Sequence, residues 1–152
     1  MKYVAFSFWF MIIHTAAYTI AGVLALHISK DLYKERERLF DFLRNMSDKN
    51  ESGHVQKYFL PAQLLRGVLM SVVLYPVIDM LGQLSFGLRS AFLFGLMFIF
   101  TDLASAVPFA NNIEGLVYFK DRYLKKNLFW KLYLETAIYS VLFAFLAGWF
   151  LF

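Results

Sequence analysis

Four stretches of this chain, 4–28, 59–82, 87–109 and 128–152, are almost unbroken apolar sequence, and they settle the choice of solvent first. Each has the roughly 20 residues that a helix needs to cross a hydrocarbon core of about 30 Å. A chain of 152 residues that is 60% hydrophobic and holds 18 Phe has more apolar surface than one small water-soluble core can hide. The predicted solvent is therefore lipid. With no water to take up backbone amides, such segments must be helical. The expected fold class is all-α: one domain over 1–152, an integral membrane bundle of four transmembrane helices, with 29–57 forming a cytoplasmic amphipathic helix and loop between the first and second. The first segment is longer than a signal-peptide core and lacks a convincing cleavage site, so it is read as a mature helix.

Charge sets the orientation. The first connection carries Lys30, Lys34, Arg36, Arg38, Arg44, Lys49 and Lys57, and the second carries Lys120, Arg122, Lys125 and Lys126. The turn GQLSFG at 82–87 and the C-terminal WFLF carry none. The positive-inside rule then predicts two cytoplasmic connections and two extracytoplasmic termini in a multi-pass protein of the cell membrane. The net charge of +4 reports this topology; no nucleic-acid partner is expected.

Within the first connection, Leu32, Leu39, Leu43 and Met46, with Tyr33 and Phe40 beside them, recur at helical spacing against a charged face. That pattern predicts an amphipathic helix at the headgroup layer or capping the bundle. SDKNESGH, 47–54, is expected to be a polar loop.

Four charges interrupt the second and third apolar segments. Counted from a turn centred near Leu84, Arg66 and Asp102 share one depth, and Asp79 and Arg89 share another, nearer the far surface. The spacing predicts an Arg66–Asp102 pair, with Asp79 and Arg89 turned away from each other but able to reach water. Glu135 falls at the depth of Arg66 and Asp102. One cation and two carboxylates leave an anion needing a proton, a metal ion or a cationic ligand. The predicted ligand-binding residues are Arg66, Asp102, Glu135, Gln63 and Tyr139, with Asn111, Asn112 and Glu114 as loop or gate candidates beneath them. Pro76 and Pro108 are expected to break the helical ladder and free carbonyls toward a cavity. For Asn111 and Asn112 taken alone, ordinary turn roles are the simpler reading.

Other chemistries find little support. Cys is absent, which removes disulfides, thiolate zinc sites and Cys catalysis. His14 and His27 lie 13 residues apart with no HExxH spacing, so they are read as core or interfacial histidines and no metal site is expected. There is no GxSxG, P-loop or GxGxxG motif, and no cofactor or catalytic residue is expected. Ala17 and Ala21, Gly67 and Ser71, Ala91 and Gly95, and Ala144 and Gly148 form small-xxx-small pairs that permit close helix approach, within the chain or in an oligomer.

Two functions remain open. One is a small multi-pass membrane protein that binds or conducts an ion, proton, small polar solute or lipid headgroup at this cytoplasm-facing cluster. The other is a non-catalytic subunit or assembly factor docked against other membrane subunits; a membrane enzyme ranks third. A hydrated pocket at Glu135 favours the first, and a dry, fully paired triad the second.

Overall fold

The computed structural model describes residues 2–33 and 40–152, without the side chains of 126–128. Every described element is helical. In chain order they are α1 (Lys2–Ile28), α2 (Lys30–Tyr33), α3 (Lys49–Val73), a 3₁₀ turn (Tyr75–Val77), α4 (Ile78–Gln83), α5 (Phe86–Gly95), a π-helical continuation (Leu96–Leu103), α6 (Ile113–Tyr118), a second 3₁₀ turn (Asp121–Tyr123) and α7 (Lys126–Phe150). Three helical stretches, Lys2–Ile28, Phe86–Leu103 and Phe129–Phe150, are long and apolar enough to cross a membrane, and a fourth is added if α3 and the 75–83 segment count as one span bent by 48°.

α1 is the central element. It packs against α3 on one side and α7 on the other, and α7 in turn carries α5 and the π segment. The buried stripe of α1 runs Phe6, Phe10, Ile13, Ala17, Ala21, Ala25, a helical repeat that keeps one face inward. Small residues set the crossings. A Cβ on Gly67 would stand 2.8 Å from the Met11 Cα, and one turn on, the Ser71 hydroxyl donates to Ser7 Oγ at 2.6 Å. At the other crossing a Cβ on Gly148 would meet Ser90 Oγ at 2.8 Å. Three of the four expected small pairs lie at least partly on buried surface. The fourth does not: Ala91 is exposed and Gly95 has nothing within 4 Å of a Cβ.

Three expectations are corrected. The 47–54 segment is not a loop, because Asp48 caps α3 by accepting from Asn50 and Glu51 N–H at 2.9 Å each, which starts the helix at Lys49. The 29–57 amphipathic helix is realised only at Lys30–Tyr33; 40–48 forms turns, and 34–39, Leu39 included, lies outside the described residues. Pro76 does interrupt its helix, at the bend. Pro108 interrupts none, since the helix has ended by Ala104, whose N–H bonds Ile99 O at 2.8 Å, five residues back. The Thr101 hydroxyl donates to the Met97 carbonyl at 2.6 Å, a local bond that competes with the ladder in this widened turn.

The two basic connections meet at one end of the bundle. Leu32 and Phe40 from the first pack with Ala110 from the second and Leu132 of α7, with Phe109, Phe119 and Tyr123 around them. Both termini lie at the other end: Phe6 meets Phe152 edge to face, and Lys2 pairs with Asp79.

Candidate functional site

Although only the 3₁₀ turn, α4 and the tight turn at 84–85 separate α3 from α5 in the chain, the two helices are not principal packing partners. α3 leans on α1, while α5 and the π segment lean on α7. The splay leaves a cavity of about 200 Å³ lined by Tyr18, Gly22 and Ala25 of α1, Arg66 of α3, Asp102 of the π segment, and Glu135 and Tyr139 of α7, among others. Arg66, Asp102 and Glu135, placed at one depth from the sequence, share this cavity. The short side chains on α1 form its floor.

The pairing differs from expectation. Among the described residues, Arg66 makes no ion pair with Asp102 or Glu135; its guanidinium lies over the Tyr18 ring, 5.3 Å from the centroid. The predicted arrangement assumed that α3 and α5 face each other, which the bend at Pro76 and the close α1–α3 crossing prevent. Asp102 is held instead by Asn111, whose Nδ2 donates to Oδ2 at 2.8 Å and lies 3.5 Å from Thr136 Oγ1. An ionised carboxylate only accepts, so this contact fixes the amide orientation. Asn111 is 2% exposed, and its Oδ1 has no partner among the described residues.

Glu135 Oε2 accepts from the Tyr33 hydroxyl at 2.9 Å. Burial first, and then the adjacent carboxylate, push the Tyr33 hydroxyl far above its usual range, so it remains a donor. Glu135 Oε1 is buried with no partner among the described residues. Lys131, one turn from Glu135, bonds Asp31 at 2.6 Å instead. At the cavity's inner end the Tyr139 hydroxyl meets His14 Nδ1 at 2.8 Å and donates toward Met97 Sδ at 3.6 Å. His14 is fully buried, as a core histidine.

The remaining predicted residues separate. Gln63 is not on the cavity wall; it stands beside His14. Asn112 is a turn residue, with Oδ1 accepting from Phe109 and Gly115 N–H at 3.0 and 2.7 Å and Nδ2 donating to the Val107 carbonyl at 2.7 Å. That turn is closed tightly enough that a Cβ on Gly115 would fall 1.6 Å from the Phe109 carbonyl oxygen. Glu114 sits on α6 away from the cavity. Neither Asn112 nor Glu114 lines the cavity. The shallower charges are also redirected. Asp79 pairs with Lys2, and Arg89 donates to four carbonyls, Leu81 at 2.9, Gly82 at 3.3, Leu84 at 2.8 and Gly148 at 2.9 Å.

Tyr33 is the contact the sequence hid, because its spacing assigned it to the apolar face of a longer helix. Tyr18 and Thr136 were legible from depth alone. No protein-family model matches this chain, and no curated protein or solved structure is detectably similar to it.

Proposed function

We propose that the chain is a multi-pass protein of the cell membrane, crossing it four times with α3 and α4 as one bent span, and that its cavity is a cytoplasm-facing binding site for a small cationic or polar solute. The membrane reading is supported by helices that are apolar on every side. On α1, Val4 and Trp9 are 74% and 55% exposed, and on the π segment Phe100 is 71% exposed, surface that water would not tolerate in one contiguous band. The basic connections cluster at the cavity's end of the bundle, so the positive-inside rule turns that end, α2 and the 40–48 turns to the cytoplasm and both termini outward.

The binding reading rests on one observation. Two carboxylates and a guanidinium line a cavity with room for several waters, at about 30 Å³ each, and among the described residues neither the guanidinium nor Glu135 Oε1 has a hydrogen-bond or ion-pair partner. A dry structural triad would be closed and mutually bonded. Charges in a bilayer are costly, by about 2.5 kcal/mol at the least, and persist where they pair or meet a wet cavity. The excess anion favours cations, which suits the first step of a carrier or channel.

Because the chain has no Cys, single cysteines report on this directly. Ala25→Cys and Thr136→Cys, on the cavity wall, should react in membranes with a cationic methanethiosulfonate faster than with an anionic one. Leu69→Cys, exposed on the outer side of α3, should react with neither. Cavity cysteines as inert as Leu69→Cys would end the proposal.

A further inference from the structure

We infer that the occupant of the cavity is the headgroup of an aminophospholipid, with its primary ammonium between Asp102 and Glu135, its phosphate on Arg66, and its chains left in the bilayer. This rests on the reading of the cavity as a binding site and names what binds there.

At the two carboxylates there is acceptor capacity left over. Glu135 Oε1 and, behind Asp102, Asn111 Oδ1 are buried acceptors with no donor among the described residues. Tyr33 and Asn111 Nδ2 each hold one carboxylate oxygen, and the buried Ser29 hydroxyl is a further donor beside Glu135. A ligand seated between the two carboxylates brings N–H groups for the oxygens left over and, facing both, positive charge. An ammonium with three N–H donors meets both needs; a quaternary ammonium meets only the second.

At the other side of the cavity stands a cation with the opposite requirement. Arg66 is exposed, rests on the Tyr18 ring, and has no carboxylate within ion-pair distance among the described residues. Its planar fork of donors matches a phosphate in two parallel bonds. One ligand that satisfies both ends carries an amine and a phosphate on a short link.

The route in favours a lipid source. α3 and the π segment both line the cavity, yet neither is a principal packing partner of the other, and both carry exposed apolar side chains such as Leu69 and Phe100. A headgroup enters there without its acyl chains leaving lipid. The volume, about 200 Å³, is below the roughly 300–1,000 Å³ of ordinary ligand pockets, which suits ethanolamine and is too small for a sugar or nucleotide headgroup.

The experiment uses the full-length protein in detergent and a series of short-chain phospholipids that differ only in N-methylation: ethanolamine, N-methyl, N,N-dimethyl and choline, with phosphatidylglycerol and water-soluble phosphoethanolamine alongside. Affinity, read by native mass spectrometry, should fall stepwise along the series. The loss should reach about tenfold or more at choline, as charged hydrogen bonds are removed. Glu135→Gln and Arg66→Gln should each erase the discrimination at their own end, Glu135→Gln between ethanolamine and choline lipids and Arg66→Gln between ethanolamine lipid and a phosphate-free long-chain alkylammonium. Because the methylation series is run on the unaltered chain, a misfolded variant leaves the test intact. Equal binding of ethanolamine and choline lipids overturns the inference, as does phosphoethanolamine binding as tightly as the lipid, which identifies a soluble ligand. Reactive cavity cysteines with no lipid preference refute this inference alone, whereas inert ones refute the binding reading beneath it.

Discussion

Removing Arg89 should destabilise the protein more than removing Arg66, although Arg66 lies on the cavity wall. The Arg89 guanidinium ties the carbonyls that end α4 to Gly148 of α7, and three of its four bonds, to Leu81, Leu84 and Gly148, are partly shielded from solvent. At a net contribution of about 1 kcal/mol per bond, Arg89→Ala should cost about 3 kcal/mol. Lys offers a point charge without the fork, so Arg89→Lys should recover about 1 kcal/mol of this. Among the described residues Arg66 makes no hydrogen bond or ion pair and lies over the Tyr18 ring, and at an exposed site a cation over a ring contributes about 0.5–1 kcal/mol. Equilibrium unfolding in mixed micelles titrated with SDS measures the difference. Trp149 packs edge to face on Phe86 and reports fluorescence from the α5–α7 crossing that Arg89 holds. An Arg66→Ala cost equal to or above that of Arg89→Ala would refute the reasoning, because it would mean that the carbonyl clamp contributes nothing that water cannot replace.

Two further outcomes are expected. Gly67→Ala should lower stability by about 1–3 kcal/mol, since the new Cβ meets helix backbone at Met11 that cannot rotate away. Gly95→Ala, with open space at the same atom, should be neutral or stabilising by up to about 1 kcal/mol; the same unfolding titration separates them, and equal losses would place the crossing elsewhere. A reporter fused at the C-terminus should behave as extracytoplasmic and one inserted near Ser52 as cytoplasmic in protease-accessibility assays, with the reverse pattern moving the cavity to the other face of the membrane.

What the sequence carried was depth, and what it did not carry was direction. Counting residues from a turn at Leu84 put Arg66 and Asp102 at one level, counting from a helix start near Leu128 put Glu135 there too, and all three line one cavity, because rise along a helix is insensitive to how helices cross. Which way each side chain points is set by contacts far away in sequence. Gly67 and Ser71 draw α3 onto α1, Pro76 bends it away from α5, and the π turn at 96–103 alters the rotation between Arg89 and Asp102 that a regular 3.6-residue repeat assumes. Hence the predicted Arg66–Asp102 pair is absent while its members sit in the same site. The α3 start was legible and missed: Asp48 followed three residues on by Glu51 is the pattern of a capped helix. Tyr33 was not legible, because its partner Glu135 lies 102 residues away.

The central position of α1 bears on how the chain is made. Of these helices, α1 precedes both α3 and α7, which later rest on it, so α3 finds its partner already waiting as it emerges. The Phe86–Leu103 span has no such support: only 11% of its window is buried even in the finished bundle, and its principal neighbour, α7, follows it in the chain. Until α7 has been made, that span, with Asp102 on it, stands in the bilayer without the surface it belongs to. The interval makes it the segment that insertion machinery must shelter longest, and the one through which errors of biogenesis should first show.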